Sequence, residues 1–202
     1  MMKHKFFMLL ITVFLMACDN DKKPILGETE WQKEMNAEYK DATTSPLKDR
    51  DRAEFEGLDF FKVDSLYVVT AKFTRTADEA VFKMKTTTDR LPEYVKYGAV
   101  TFNIGKKSFK LNVYQNQDLI KKPDYVDYLF LPFLDDTNGK ESYGGGRYID
   151  LRIPESDTLV IDFNKAYNPY CAYNDTYSCP IVPRENYLNI EIRAGVKAFD
   201  KH

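Results

Sequence analysis

Between Leu131 and Asn186 the sequence gathers most of the side chains that could do chemistry. Asp135-Asp136-Thr137-Asn138-Gly139 is followed by Tyr143, three glycines (Gly144, Gly145, Gly146) and Arg147. Asp162, Asn164, Tyr167 and Asn168 then lead into Pro169, and Cys171, Tyr173 and Cys179 follow. The acidic run invites a calcium-loop reading. Placing Gly139 at the glycine of an EF-hand puts Leu134 at the first ligand position and Gly145 at the twelfth, and both fail. Asn138-Gly139 also has the composition of a turn, since both residues tolerate positive φ. The glycines beside Arg147 offer an anion nest, with converging N–H groups and a guanidinium able to grip a carboxylate or phosphate. They equally permit a bulge in which Arg147 pairs with Asp150 or Asp162 as a buttress. No Gly-Lys-Ser/Thr is present, so this is no P-loop. Two carboxylates can divide acid and base work when their surroundings separate their pKa values. Asp135 or Asp136 with Asp162 is the candidate pair, with or without a divalent ion. Asn138, Tyr143, Gly144, Gly145, Gly146, Arg147, Asn164, Tyr167, Asn168 and Tyr173 are the candidate ligand-binding residues. Cys171 and Cys179, seven residues apart in between, suit a disulfide closing a loop that contributes about 2.5 kcal/mol. Buried free thiols and a redox or metal role are the alternatives.

What the chain lacks narrows the chemistry further. Its two histidines are His4 and His202. An interior without histidine excludes Ser-His-Asp and Cys-His catalysis, His-ligated zinc and the usual neutral-pH general base. No cofactor and no metal site is predicted. The formal charge of −2 becomes −4 once Lys3 and Lys5 are removed with the leader, which gives no reason to expect a nucleic-acid partner.

That leader is an address. Lys3 and Lys5 precede an apolar run from Phe6 to Met16, which ends at Ala17-Cys18. The run is shorter than the roughly 20 residues of a membrane span and has the build of a signal peptide. Leu15-Met16-Ala17-Cys18 resembles the bacterial lipoprotein box. The resemblance implies cleavage after residue 17, lipidation of Cys18 and a membrane partner reached through that anchor. Residues 1–17 are then the signal peptide, 18–27 the lipidated Cys and tether, and 28–202 one domain, exposed to the cell envelope.

The elements that must position the chemistry read as β-rich. Trp31, Met35 and Tyr39 recur every fourth residue and predict a helix over Glu28–Tyr39. Leu47–Glu54 predicts a second short one. From Phe55 the period is two. Strands are expected at Phe60–Val63, Tyr67–Phe73, Ala80–Thr86, Tyr148–Ile153, Leu159–Phe163 and Leu188–Ile192. Val100, Phe102 and Ile104 alternate before Gly105-Lys106-Lys107, and Phe109, Leu111 and Val113 alternate after it, which is a hairpin. Pro132 inside the apolar run Leu129–Leu134 argues for an edge or a strand end. The sum is a mainly β fold: one antiparallel barrel- or sandwich-like domain with an N-terminal helix.

The phrases PFLDDTNGKESYGGGRYIDL and DFNKAYNPYCAYNDTYSCPIVPRENYLNIEI, with the following Ala-Gly, resemble domain of unknown function family 1684, most closely over Leu131–Lys197. The resemblance implies a fold family and a residue cluster rather than a reaction, and it fits an envelope lipoprotein. Val196 stands where the family-like ending Ala-Gly-Glu-Lys would carry Glu, so any role for an acid there is absent. The resulting expectation is a lipid-anchored module that binds a small polar or anionic ligand or a partner. A carboxylate-based hydrolase is the alternative.

Overall fold

The computed structural model describes residues 26–199; the leader and Cys18 lie outside the described residues. The predicted first helix forms as α1 (Glu30–Lys40). Its start is fixed by a capping box: Gln32 N–H donates to Thr29 Oγ1 at 3.2 Å, and Gln32 Oε1 accepts from the Thr29 N–H at 3.1 Å. Two otherwise unpaired N–H groups of the helix start are thereby satisfied. A short α2 (Asp49–Ala53) follows.

Eight strands build one curled, half-barrel sheet: β1 (Val68–Arg75), β2 (Phe82–Lys83), β3 (Glu93–Ile104), β4 (Lys107–Asn116), β5 (Tyr128–Asp135), β6 (Arg147–Arg152), β7 (Thr158–Asp162) and β8 (Tyr187–Leu188). The path runs β6-β5-β4-β3-β1-β7, with β2 added to β3 and β8 to β5. Pairing is antiparallel throughout except at β8, which runs parallel to β5. The mainly β, antiparallel class with a leading helix is therefore the observed one.

The expected hairpin is β3–β4, in the register Val100↔Leu111 and Phe102↔Phe109. Its six alternating apolar residues are all buried. A slip of one residue would turn them out to water, which is why the register holds. They line the concave core with Val69, Ala71, Phe73, Leu129, Leu131, Phe133, Ile149, Ile161 and Phe163. On the opposite face Tyr114, Phe130 and Tyr148 form a second cluster with Met84, Tyr94 and Val182. β5 is covered on both faces, so it reads as a nearly continuous apolar run rather than an alternating one. A third cluster seats α1: Tyr39 packs with Leu47, Phe55, Leu58, Phe60, Tyr173 and Val196.

Several expected strands shrink. Phe60–Val63 is a single bridge, Phe60 to Val196. Ala80–Thr86 is reduced to β2 and an isolated bridge from Thr86 to Pro180. Of Leu188–Ile192 only Leu188 is in a strand, as the second residue of β8. Alternation alone marks a face that can be buried, but each of these segments pairs over only one or two residues: β2 with the start of β3, β8 with the end of β5, and Phe60 and Thr86 through isolated bridges. Pro132 is no edge residue either. β5 lies between β4 and β6, yet its ladder with β4 is the single pair Tyr114↔Phe130. Where strand pairing lapses, the buried Asn186 takes over. Its Nδ2 donates to Pro132 O at 2.7 Å and to Asn112 O at 2.8 Å, and its Oδ1 accepts from Asn112 N at 2.9 Å. A side-chain amide thus supplies the donor and acceptor that a neighbouring strand would have offered.

Candidate functional site

Arg147 opens β6 and is completely buried. Its Nη2 donates to Asp135 Oδ2 at 2.7 Å, to Ile192 O at 2.7 Å and to Thr137 Oγ1 at 3.5 Å. Its Nη1 donates to Ala194 O. Asp135 ends β5 and is equally enclosed. Its Oδ1 accepts from Thr137 N at 2.8 Å, Thr137 Oγ1 at 2.6 Å and Ile192 N at 3.2 Å. Phe133 and Phe61 flank the guanidinium, with their ring centres 5.3 and 5.7 Å from Cζ. Burial pulls the guanidinium below its ordinary pKa range and Asp135 opposes the pull; a group so basic keeps its charge. The arginine reached by sequence as an anion grip is thus occupied with its own chain. It ties β5 and β6 to the C-terminal segment 192–194.

The three glycines serve that placement. Of the three, only Gly146 has positive φ, at +88°, and its N–H closes a turn onto Tyr143 O at 3.2 Å. Asn138 folds the preceding loop: Oδ1 accepts from Asp135 N at 2.7 Å, while Nδ2 donates to Ser142 Oγ at 2.8 Å and Tyr143 O at 3.1 Å. The carboxylates proposed for hydrolysis have separate partners. Asp136 accepts from the Tyr187 hydroxyl, Asp162 accepts from Asn164 N at 3.0 Å, and Asp135 is held by Arg147. Among the described residues no group of three or more His, Cys, Asp or Glu could hold a metal.

The remaining candidates are mostly staples. Asn164 is buried and clasps Asp64, accepting from its N–H and donating to its carbonyl, both at 3.0 Å. Asn168, with no exposed surface, donates to Lys197 O at 2.8 Å and to the Tyr173 hydroxyl at 3.2 Å. Tyr173 is itself buried, its ring edge-on to Tyr39 with centroids 5.0 Å apart. Tyr167 donates to Asp150 Oδ1 at 2.6 Å, and Tyr128 donates to the same oxygen at 2.7 Å. Burial, then the Asp150 charge, raises both phenols and keeps them protonated donors. Cys171 and Cys179 are free thiols rather than the disulfide that their spacing suits. The Cys171 N–H donates to Cys179 Sγ at 3.1 Å, and the Tyr143 hydroxyl lies 3.8 Å from Cys171 Sγ.

A cleft of about 880 Å³ lies beside the Arg147 lock. Phe61, Lys62, Val63, Asp64, Tyr67, Glu141, Arg193 and Lys197 line it. Phe61 is the wall between the two: the ring facing Arg147 also lies 5.6 Å from Lys197 Nζ. Arg193 pairs with Glu141 at 2.9 Å and Glu191 at 3.0 Å. Lys197 pairs with Asp59 at 2.9 Å. Lys62 is exposed and makes no ion pair among the described residues. These residues escape a reading along the chain because they come from three distant segments, each unremarkable by itself. A further opening of about 660 Å³, between the α2 region and residues 196–199, is lined by Arg50 beside Asp51, Glu54, Glu56 and Asp59.

Comparison with known proteins agrees with this architecture. No curated protein matches the chain. The solution structure of an uncharacterized protein of Haloarcula marismortui matches with a TM-score of 0.65 and 33% sequence identity, covering 82% of this chain and 89% of that one. The profile described as "Protein of unknown function (DUF1684)" matches residues 53–197, well beyond the Leu131–Lys197 stretch that carried the resemblance. With its loop cluster, its sheet and its C-terminal segment all inside that match, the chain belongs to the DUF1684 family.

Proposed function

We propose that this protein is a lipid-anchored envelope module whose domain binds a small anionic ligand in the cleft of Phe61, Lys62, Tyr67, Arg193 and Lys197. The carrying observation is the cleft's composition: three cationic side chains, two carboxylates, Asp64 and Glu141, and the aromatic Phe61 and Tyr67 line it together. Its volume falls within the range of small-molecule sites. Lys62 supplies unneutralised charge at the rim, and Arg193 offers a planar donor fork already held in place by Glu141 and Glu191. Phe61, Val63 and Tyr67 give an apolar part of the ligand somewhere to lie. A carboxylate or phosphate carried on an apolar or aromatic body fits that chemistry. The spacing from Lys3 to Cys18 supports the anchor.

The test is a thermal-shift and calorimetric screen of phosphate-bearing and carboxylate-bearing small molecules. A hit is expected to raise the melting temperature, and Lys62→Ala is expected to weaken its Kd about tenfold, the loss of one charge-assisted contact. A screen in which no anion stabilises the protein, or a hit indifferent to Lys62→Ala and Arg193→Ala, removes the reading.

A further inference from the structure

We propose that Cys171 and Cys179 are a thiol–disulfide exchange pair, with Cys171 as the attacking sulfur and Cys179 as the resolving one. Their placement rests on elements that hold the two thiols together before any bond forms. The Cys171 N–H donates to Cys179 Sγ at 3.1 Å, so the ends of the intervening loop already meet. The Cys179 end is clamped by the segment 86–90. Thr87 N donates to Cys179 O at 2.9 Å, Cys179 N donates to Thr87 Oγ1 at 3.1 Å, and Arg90 Nη2 donates to Ser178 O at 2.7 Å. At the other end, the Tyr170 hydroxyl donates to Glu38 of α1 at 3.0 Å.

The two sulfurs differ as the two roles require. Cys179 is buried, while Cys171 is half-buried and reachable. The Tyr143 hydroxyl beside Cys171 is a donor that a thiolate can use. Burial and the neighbouring thiol push that phenol up to about 12, so it keeps its proton near neutral pH. The hydrogen bond from Cys179, then those from Tyr143 and Thr87, lower the Cys171 thiol against the opposing pull of burial, whereas Cys171 and then burial raise Cys179. One thiolate with a low pKa next to a protonated resolving thiol is the arrangement that exchange chemistry uses.

The reaction balances with an external disulfide, RSSR, as oxidant. The Cys171 thiolate attacks one sulfur of RSSR, an S–S bond forms to Cys171, and RS⁻ leaves and takes a proton. Cys179 gives up its proton to solvent and attacks Cys171 Sγ, and the second RS⁻ leaves and is protonated. Two protein thiols are oxidised by two electrons and one external disulfide is reduced to two thiols. Run in reverse, the pair reduces a disulfide.

Reduced full-length protein treated with glutathione disulfide, followed by alkylation and peptide mass spectrometry to separate Cys171, Cys179 and Cys18, tests this. The wild type is expected to form the Cys171–Cys179 bond and to reopen under dithiothreitol without denaturant. Cys179→Ser is expected to trap glutathione on Cys171, and Cys171→Ser to leave Cys179 unmodified. Alkylation of Cys171 is expected to reach half its maximal rate below the pH of an ordinary thiol, and Tyr143→Phe to move that midpoint upward while circular dichroism stays unchanged. Equal reactivity of the two single variants overturns the assignment. So does a Cys171 no more reactive than in the urea-unfolded chain, or a bond that reopens only on unfolding.

Discussion

Arg147 and Asp135 show how a residue can look like a site and be a lock. Both are fully buried, and their contacts are nearly all internal. Removing one partner of such a pair leaves an uncompensated buried charge. Asp135→Asn is therefore expected to cost about 3–5 kcal/mol in urea unfolding, whereas replacing both residues with apolar ones of similar size should cost much less. A cost of less than about 1 kcal/mol for the single change would show that the pair does not hold the segments together. The buried asparagines follow the same logic. Asn186 and Asn164 each clasp both the N–H and the C=O of a single residue. Loss of one such clasp leaves the N–H and C=O of that residue without their partner.

At the scale of elements, the glycine run divides into one position fixed by its backbone, Gly146, one crowded by the Tyr143 ring, Gly145, and one open position, Gly144. A Cβ at Gly146 would lie 2.7 Å from Phe133 O and 2.7 Å from Val182 Cγ2, on a backbone with φ of +88°. At Gly144 the nearest atoms are 3.7 Å away, an ordinary contact. Gly146→Ala is expected to destabilise by about 1–3 kcal/mol, and Gly144→Ala to stay within about 0.5 kcal/mol of wild type, both read from denaturant midpoints. Equal effects would mean that the turn into β6 does not depend on the left-handed residue. The β3–β4 hairpin contrasts with this. Its alternation, its two-residue turn and its register agree at every level, so its pairing was readable along the chain.

At the scale of the molecule, α1 is tied to the loop that carries the cysteines. Tyr39 packs on Tyr173 and Tyr170, and Glu38 accepts from Tyr170. Tyr39→Ala is expected to cost about 3–5 kcal/mol and to raise the reactivity of Cys171 in the folded state; unchanged alkylation kinetics would show that helix and loop are independent. Among the described residues no helix is long and apolar enough to cross a membrane; the proposed attachment is through Cys18. Cys18→Ser is expected to move the protein from the membrane fraction to the soluble fraction of a bacterial cell; a variant that stays membrane-bound would remove the anchor.

By itself the sequence determined the features that depend on neighbours along the chain. These are the β class from period-two alternation, α1 from the spacing of Trp31, Met35 and Tyr39, the hairpin at Gly105-Lys106, and the family through the phrases between Leu131 and Lys197. Only the tertiary structure decided which polar side chains face inward. Arg, Asp, Asn and Tyr serve equally in a buried network and in an open site, and local pattern carries no burial. Arg147 pairs with Asp135, twelve residues before it, and not with the Asp150 or Asp162 that the sequence suggested. The carbonyls of Ile192 and Ala194 that complete their shell come from the far end of the chain. The cleft of Lys62, Glu141 and Arg193 exists only because the fold brings three segments distant along the chain to one place.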